Sequence, residues 1–419
     1  MSATILRRPP DGSDGLLGSP WIHVAQAAAA LAVGMGVGRF VYTPILPLMH
    51  AQAGLSAGAG AHLATANYVG YLMGALVGIL RPALVRSPGV LRGSLVVLTG
   101  TLAAMPLTHS TAGWMALRLT AGAASALIFV IAVSSLLSHL HDHPAHLPGW
   151  AFGGVGAGIA LSGLLVLALR SIADWQAAWW SSAGLAAVFA ALSWNLRVEL
   201  PRAEVTGPGA VAPTRSARTH RWFTALFVGY TLEGVGYIVA GTFLVAAIDQ
   251  ASPGWIGSGA WVLVGLAAVP SSALWAWLGR RWSRPDLLFA ALVIQAVGIA
   301  LPALVGGVAA ALISAFLFGA TFLGIGTIAL ATGAHLRFPR SVALLTAGYS
   351  VGQIVGPLAV APLLHHGYHQ ALILASAVVL AAALTAVVLR IGFPHDMADE
   401  MPAEVPAELP AERGTRPAS

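Results

Sequence analysis

From residue 21 to about residue 390 the chain is written in long apolar runs. Short stretches carrying arginine, proline, glycine and serine interrupt them at near-regular intervals. Each run approaches or exceeds the roughly 20 residues that a helix needs to cross a bilayer. Lipid leaves an open chain no other way than a helix to satisfy its backbone polar groups. The pattern predicts twelve spans, near 21–49, 59–80, 88–108, 111–138, 147–169, 174–196, 222–248, 256–279, 286–305, 307–335, 341–364 and 368–390. Between Asp286 and Arg337 no charge interrupts 50 residues, and between Arg340 and Arg390 none interrupts 49, so each run holds two crossings and a tight turn.

The polar stretches divide the chain further. Residues 1–20 are a polar segment. Residues 197–221 hold five arginines with Pro201, Gly207, Pro208, Gly209 and Pro213, and read as a linker. It separates an N-terminal six-helix bundle, 21–196, from a C-terminal one, 222–392. The tail, 393–419, is acidic, repeats Pro-Ala-Glu from Pro402, Pro406 and Pro410, and has a disordered composition. Ala25-Gln-Ala27 looks like a signal cleavage site, but the apolar run continues far past it, so no cleavage is expected.

An internal repeat supports the two bundles. At an offset of 198 residues, Gly36 and Gly38 fall on Gly234 and Gly236, Arg39 falls on Tyr237, and Gly154 and Gly158 fall on Gly352 and Gly356. One offset thus joins span one to span seven and span five to span eleven. Both bundles would enter the membrane from the same side, which makes the repeat parallel.

Charge fixes the predicted orientation. Arg7, Arg8, Arg81, Arg86, Arg92, Arg197, Arg202, Arg215, Arg218, Arg221, Arg280, Arg281, Arg284, Arg337, Arg340, Arg390, Arg413 and Arg416 all fall on one side. Arg170 alone falls on the other, and Arg39 and Arg118 lie within spans. By the positive-inside rule the arginine-rich side, with both termini, is cytoplasmic. The net charge of +6 therefore reports topology and not nucleic-acid binding. Composition agrees: 57% of the 419 residues are hydrophobic, 9% are charged and the mean hydropathy is +0.80, which excludes a soluble domain of this length. Cysteine is absent, so disulfides, thiol nucleophiles and thiolate metal sites are excluded. Lysine is absent too, and with the alanine and glycine richness this suggests the codon bias of a GC-rich bacterium and hence an inner membrane.

Only a few ionisable groups lie inside spans. Arg39 sits in Gly34-Met-Gly36-Val-Gly38-Arg39-Phe40-Val-Tyr42-Thr43-Pro44. A charge at that depth is costly and faces a partner or a wet cavity. The glycines admit close approach. Pro44 withdraws a helix hydrogen bond and favours a kink. The fixed donors of Arg39 suit an anionic group, and a structural ion pair is the plainer alternative. Arg118 stands above small residues, Gly122, Ser125 and Ala126, as either a coupling residue or a packing one. Glu233 in span seven reads as a proton-titrating or cation-binding carboxyl, or, more plainly, as the partner of an arginine or a carboxyl held protonated by a hydrogen bond; it is expected to face Arg39 or the cavity. Tyr42, Asn67, Tyr68, Tyr71, Tyr237, Thr242 and Gln353 are further polar candidates for a cavity wall, with interhelical hydrogen bonds as their plainer role. Asp174 and Asp249 lie near the outer ends and are expected to be solvated.

His139, His141, Asp142, His143 and His146 invite a metal reading, but Pro144 and Pro148 break the helix that would align them. His365, His366 and His369 form an outer turn. Trp21, Trp175, Trp179, Trp180, Trp222 and Trp255 lie near span ends and are expected in an interfacial belt. No nucleophile–base pair, phosphate loop or cofactor motif is present, so neither an enzyme nor a cofactor is expected.

Twelve spans, a central linker and a parallel repeat resemble the major facilitator superfamily, as do Arg118-x-x-x-Gly122 in span four and the glycine–proline pattern from Gly348 to Pro357 in span eleven. Within it, the Gly34–Pro44 stretch resembles the YbfB/YjiJ family, as do Ala66-Asn67-Tyr68-Val-Gly70-Tyr71-Leu-Met-Gly74 and Tyr230-Thr-Leu-Glu233-Gly-Val-Gly236-Tyr237. The superfamily's loop pattern Gly-x-Leu-Ala-Asp-Arg appears here as Gly78-Ile-Leu-Arg81 without the acid, so the charge relay attributed to that loop is not carried over. The resemblance implies an all-helical fold of twelve helices in two six-helix halves and the function of a secondary transporter. The expected reading is a monomer that moves a small organic solute, with an anionic one favoured, by alternating access and with proton coupling. Arg39, Tyr42, Asn67, Tyr71, Tyr237 and Gln353 are the candidates for the solute, and Glu233 and Arg118 for the protons. A non-transporting receptor or scaffold is the alternative.

Overall fold

The computed structural model describes residues 20–139, 147–198, 217–252, 254–338 and 340–393. Fourteen α-helices account for nearly all of them. They are α1 (Pro20–Leu31), α2 (Tyr42–Ala53), α3 (Ala57–Leu80), the single turn α4 (Pro82–Val85), α5 (Pro88–Ala104), α6 (Thr111–His139), α7 (Leu147–Leu169) and α8 (Trp175–Ser193). After the second long gap come α9 (Ala217–Ala251), α10 (Ile256–Leu278), α11 (Arg284–Leu304), α12 (Gly307–His335), α13 (Ser341–Val360) and α14 (His369–Arg390). Side-chain caps set several starts: Ser56, Ser87, Asp174 and Ser283 each accept from the backbone N–H three residues on. The expected His141, Asp142, His143 and His146 cluster, most of the linker and the acidic tail lie outside the described residues.

Among the described residues eleven segments are long and apolar enough to cross a membrane. The expected sixth span, α8, is helical over 19 residues but is not one of them. Trp175, Gln176, Trp179, Trp180, Ser181 and Ser182 in its first half lower its apolarity. Large apolar side chains point outward along the others, among them Met73, Val96, Leu164, Phe316 and Leu384, as a lipid-facing surface requires.

The first span is not one straight helix. Between α1 and α2 the chain winds as a π-helix over Ala32–Val37 and then opens into a turn at 38–41. Gly38 N and Phe40 N reach back five residues, to the Val33 and Met35 carbonyls, instead of four. Such bulges cluster at functional sites. The expected kink at Pro44 thus begins several residues earlier, at the glycines.

Helix α3 lies along α6, and α7 along α1 and the π-helix; correspondingly α10 lies along α12, and α9 along α13 and α14. The helices before residue 199 meet those after 216 where α7 packs on α10, α3 on α13 and α2 on α9. The glycines of the repeat sit at close crossings. A Cβ on Gly36 would stand 2.6 Å from Gly158 Cα, and one on Gly352 2.3 Å from the Thr231 carbonyl oxygen. Span one therefore nests on span five, and span seven on span eleven, at backbone contact.

The tryptophans divide. Trp21, Trp180 and Trp255 are exposed near helix ends, as the belt predicts. Trp175, Trp179 and Trp222 are instead fully buried, and Trp222 Nε1 donates to the Ile391 carbonyl. Interhelical packing and a carbonyl partner claimed them before the interface did.

Candidate functional site

The break in the first span creates the site. At residues 38–41 the regular hydrogen-bond ladder is interrupted: Thr43 N reaches the Phe40 carbonyl instead of that of Arg39, so carbonyls there lose their usual donors. Arg118, from the first third of α6, supplies replacements: Nη1 donates to the Gly38 carbonyl at 3.2 Å and Nη2 to the Arg39 carbonyl at 3.1 Å. Its guanidinium also lies over the Tyr42 ring, 5.0 Å from the centroid. Two turns further along α6, Ser125 Oγ donates to the Gly34 carbonyl at 2.5 Å. The irregular segment is thus held from outside by α6, and Arg118 acts as its clamp.

Held in this way, the break turns the Arg39 side chain toward the helices that follow residue 216. Nη2 donates to Gln353 Oε1 of α13, and Gln353 Nε2 donates to the Tyr237 hydroxyl of α9 at 3.3 Å. The guanidinium rests on Tyr71 and Tyr68, 4.5 and 4.8 Å from their ring centroids. Arg39 is 3% exposed, and its Nε has no partner among the described residues. Neither Arg39 nor Arg118 pairs with a carboxylate among the described residues. Burying such a cation without a counter-ion is costly, and the tyrosine faces and amide oxygens offset only part of that cost.

Beside Arg39 lies a cavity of about 110 Å³. Met35, Arg39, Phe40, Tyr71, Phe129, Phe152 and Val155 wall it from one side, and Tyr230, Tyr237, Phe322, Leu323, Leu330, Thr346, Tyr349, Ser350 and Gln353 from the other. Phe152 and Thr346 stand near the starts of α7 and α13, Leu330 near the end of α12, and Tyr230 in the first half of α9. The cavity therefore runs from mid-bundle toward the arginine-rich end. At the opposite end the two sets of helices are tied together. Thr43 Oγ1 donates to the Gly241 carbonyl at 2.5 Å, and the Tyr68 hydroxyl meets Thr242 Oγ1 at 2.8 Å. His50 Nε2 meets the Tyr368 hydroxyl at 2.9 Å, and Arg170 pairs with Asp249 at 3.5 Å. Thr43 and Gly241 are 198 residues apart, the offset of the repeat.

Four of the predicted solute residues, Arg39, Tyr71, Tyr237 and Gln353, are brought together at the cavity. Tyr42 and Asn67 are not on its wall. The Tyr42 hydroxyl donates to the Gly60 carbonyl at 2.9 Å, and Asn67 Nδ2 donates to the Arg118 carbonyl at 2.9 Å, so both tie helices together. Glu233 faces neither Arg39 nor the cavity, contrary to expectation. It is 1% exposed and approaches Gln295 of α11 without a well-formed hydrogen bond on either oxygen. Glu233 lies one turn before Tyr237 on nearly the same face of α9, but that helix also packs against α11, and there the carboxyl lies by Gln295. Asp249, expected to be solvated, is instead partly buried in the Arg170 pair.

Sequence reasoning did not single out Tyr230, Tyr349 and Phe322. A signal existed for the first, since Tyr230 and Tyr237 are seven residues apart and share a helix face. Among the described residues no group of three histidine or acidic side chains converges as a metal site. His139 stacks on His23, ring centroids 4.1 Å apart.

Compared with known proteins, the chain resembles solved transporters in shape. The crystal structure of the nucleoside transporter NupG superposes with a TM-score of 0.63 at 12% identity, covering 89% of this chain and 99% of that one. A point mutant of the same transporter gives 0.65 at 11% identity, covering 89% and 100%. Identity that low carries the fold and nothing finer. Among curated proteins none matches the sequence. Residues 31–388 match the family described as "Uncharacterised MFS-type transporter YbfB". The chain belongs to that family, and is a multi-pass membrane transporter of the major facilitator type.

Proposed function

We propose that the chain moves a small organic solute across a bacterial inner membrane by alternating access between two six-helix halves, 21–196 and 222–392. It does so as a monomer with twelve crossings and cytoplasmic termini. The observation that carries this reading is the asymmetry about Arg39. On one side a cavity is walled by both sets of helices; on the other, cross-contacts at Thr43, Tyr68, His50 and Arg170 join those sets. With the arginine-rich end cytoplasmic, this is an inward-facing arrangement. Rocking the halves would break the outer contacts and close the inner wall, carrying the solute past Arg39.

Arg39, Tyr71, Tyr237 and Gln353 bind the solute in this scheme, and Arg118 holds the segment that presents Arg39. Proton coupling falls to Glu233, the one fully buried acid among the described residues. Its place behind the cavity wall makes the coupling indirect: a proton on Glu233 would act through α9, which also carries Tyr237. At 11–12% identity the nucleoside transporters carry the fold alone, and their substrate is not carried over to this chain. Flux into reconstituted vesicles tests the function. Saturable solute entry driven by a pH gradient is expected, whereas folded protein that moves no solute under any gradient would favour a receptor or scaffold.

A further inference from the structure

The cavity wall has a composition of its own. On the side after residue 216, Tyr230 stacks on Tyr349 at 4.4 Å and 15°, Tyr349 on Tyr237 at 5.3 Å and 15°, and Tyr237 on Phe322 at 6.1 Å and 6°. These rings come from α9, α12 and α13, yet their planes are nearly parallel. Parallel faces favour a further flat ring inserted in the same orientation, because aromatic pairs prefer offset stacking. A branched aliphatic solute would meet those faces with poor contact.

Charge narrows the choice. Among the described residues Arg39 is the single ionisable side chain on the wall other than the tyrosines, and no acid lies there. A cationic solute would face an uncompensated guanidinium. A neutral one would leave that guanidinium in a desolvated site with Gln353 as its one hydrogen-bonded partner among the described residues. A carboxylate matches the planar fork and supplies the missing charge. Size narrows it again: about 110 Å³ is of the order of an engineered cavity of roughly 150 Å³ that takes up benzene.

Resting on the transporter reading above, we infer that the solute class is a single planar aromatic ring bearing one carboxylate. The ring lies along the Tyr237–Tyr349–Phe322 face, and the carboxylate displaces Gln353 from Arg39.

Binding to the purified wild-type protein by calorimetry tests the class with four probes of similar size. Benzoate is the aromatic anion, cyclohexanecarboxylate the non-planar anion, benzamide the neutral ring and benzylamine the cation. Benzoate is expected to bind about threefold to tenfold tighter than cyclohexanecarboxylate, the factor that one aromatic pair supplies. It should exceed benzamide by at least about tenfold, the factor of a hydrogen bond to a charged group. Tyr237→Phe should keep the ring preference and Tyr237→Leu should lose it, with melting curves confirming that both variants fold. Equal binding of cyclohexanecarboxylate overturns the ring, and stronger binding of benzamide or benzylamine overturns the charge. Binding of none of the four overturns the class altogether. In each of these cases, vesicle flux of any other solute would leave the transporter reading standing.

Discussion

Arg118 offers the sharpest test of how the site is held. Replacing it with methionine keeps most of the volume and removes both donors to the broken segment. The Gly38 and Arg39 carbonyls, bonded at 3.2 and 3.1 Å, would then be left without those donors in a buried site. Interhelical hydrogen bonds in membrane proteins average about 0.6 kcal/mol and reach about 1.7. Two of them amount to about 1–3 kcal/mol. The cation–π contact with Tyr42 adds to the loss, and relief from burying an unpaired guanidinium subtracts from it. For a domain of 150–250 residues each kcal/mol is worth about 2–4 °C, so a fall in melting temperature of about 2–12 °C is expected. Arg118→Lys should fall between, because one ammonium cannot reach both carbonyls in the geometry of a planar fork. The assay is thermal unfolding in detergent alongside vesicle flux. Both should drop together for Arg118→Met, because the released segment no longer aims Arg39. If Arg118→Met melts and transports like wild type, the segment holds itself and the clamp does not exist.

Arg39→Lys keeps the charge but loses the fork, and is expected to impair uptake; Arg39→Ala should impair it further, and wild-type uptake by a well-inserted Arg39→Ala protein would remove Arg39 from the site. Glu233→Gln is expected to fold and bind solute but to stop accumulating it in response to a pH gradient; persistent pH-driven accumulation would place coupling elsewhere. Gly122→Ala sets a Cβ 1.9 Å from the Asn67 carbonyl oxygen, which is helix backbone and cannot step aside, so about 1–3 kcal/mol of overpacking is expected. Gly184→Ala, with nothing within 4 Å, is its control and should melt at or slightly above wild type; equal behaviour of the two variants would refute the α3–α6 crossing.

The sequence by itself determined the membrane class, most of the span positions, the family and the placing of Arg39 inside a span. Each of these is written locally. Apolar length demands a helix in lipid, the arginines mark one side, and a permanent charge inside an apolar run has few places to go. The repeat glycines were equally legible, because close helix crossings tolerate little else. Tertiary structure alone decided where each polar group spends its hydrogen bonds. Asn67, Tyr42 and Tyr71 look alike as candidates on paper, yet the first two tie helices together and only Tyr71 reaches the cavity. Glu233 sits one turn from Tyr237 on the same helix, yet its carboxyl lies by Gln295 of α11, because α9 is packed from several sides and its neighbours decide which partner the carboxyl meets. Arg118 became a clamp because the first span breaks, and the place of that break depends on α6 and α7 pressing on its glycines. A wall of parallel rings assembled from three helices has no signature in any one of them, since stacking depends on helix crossings that no local pattern encodes.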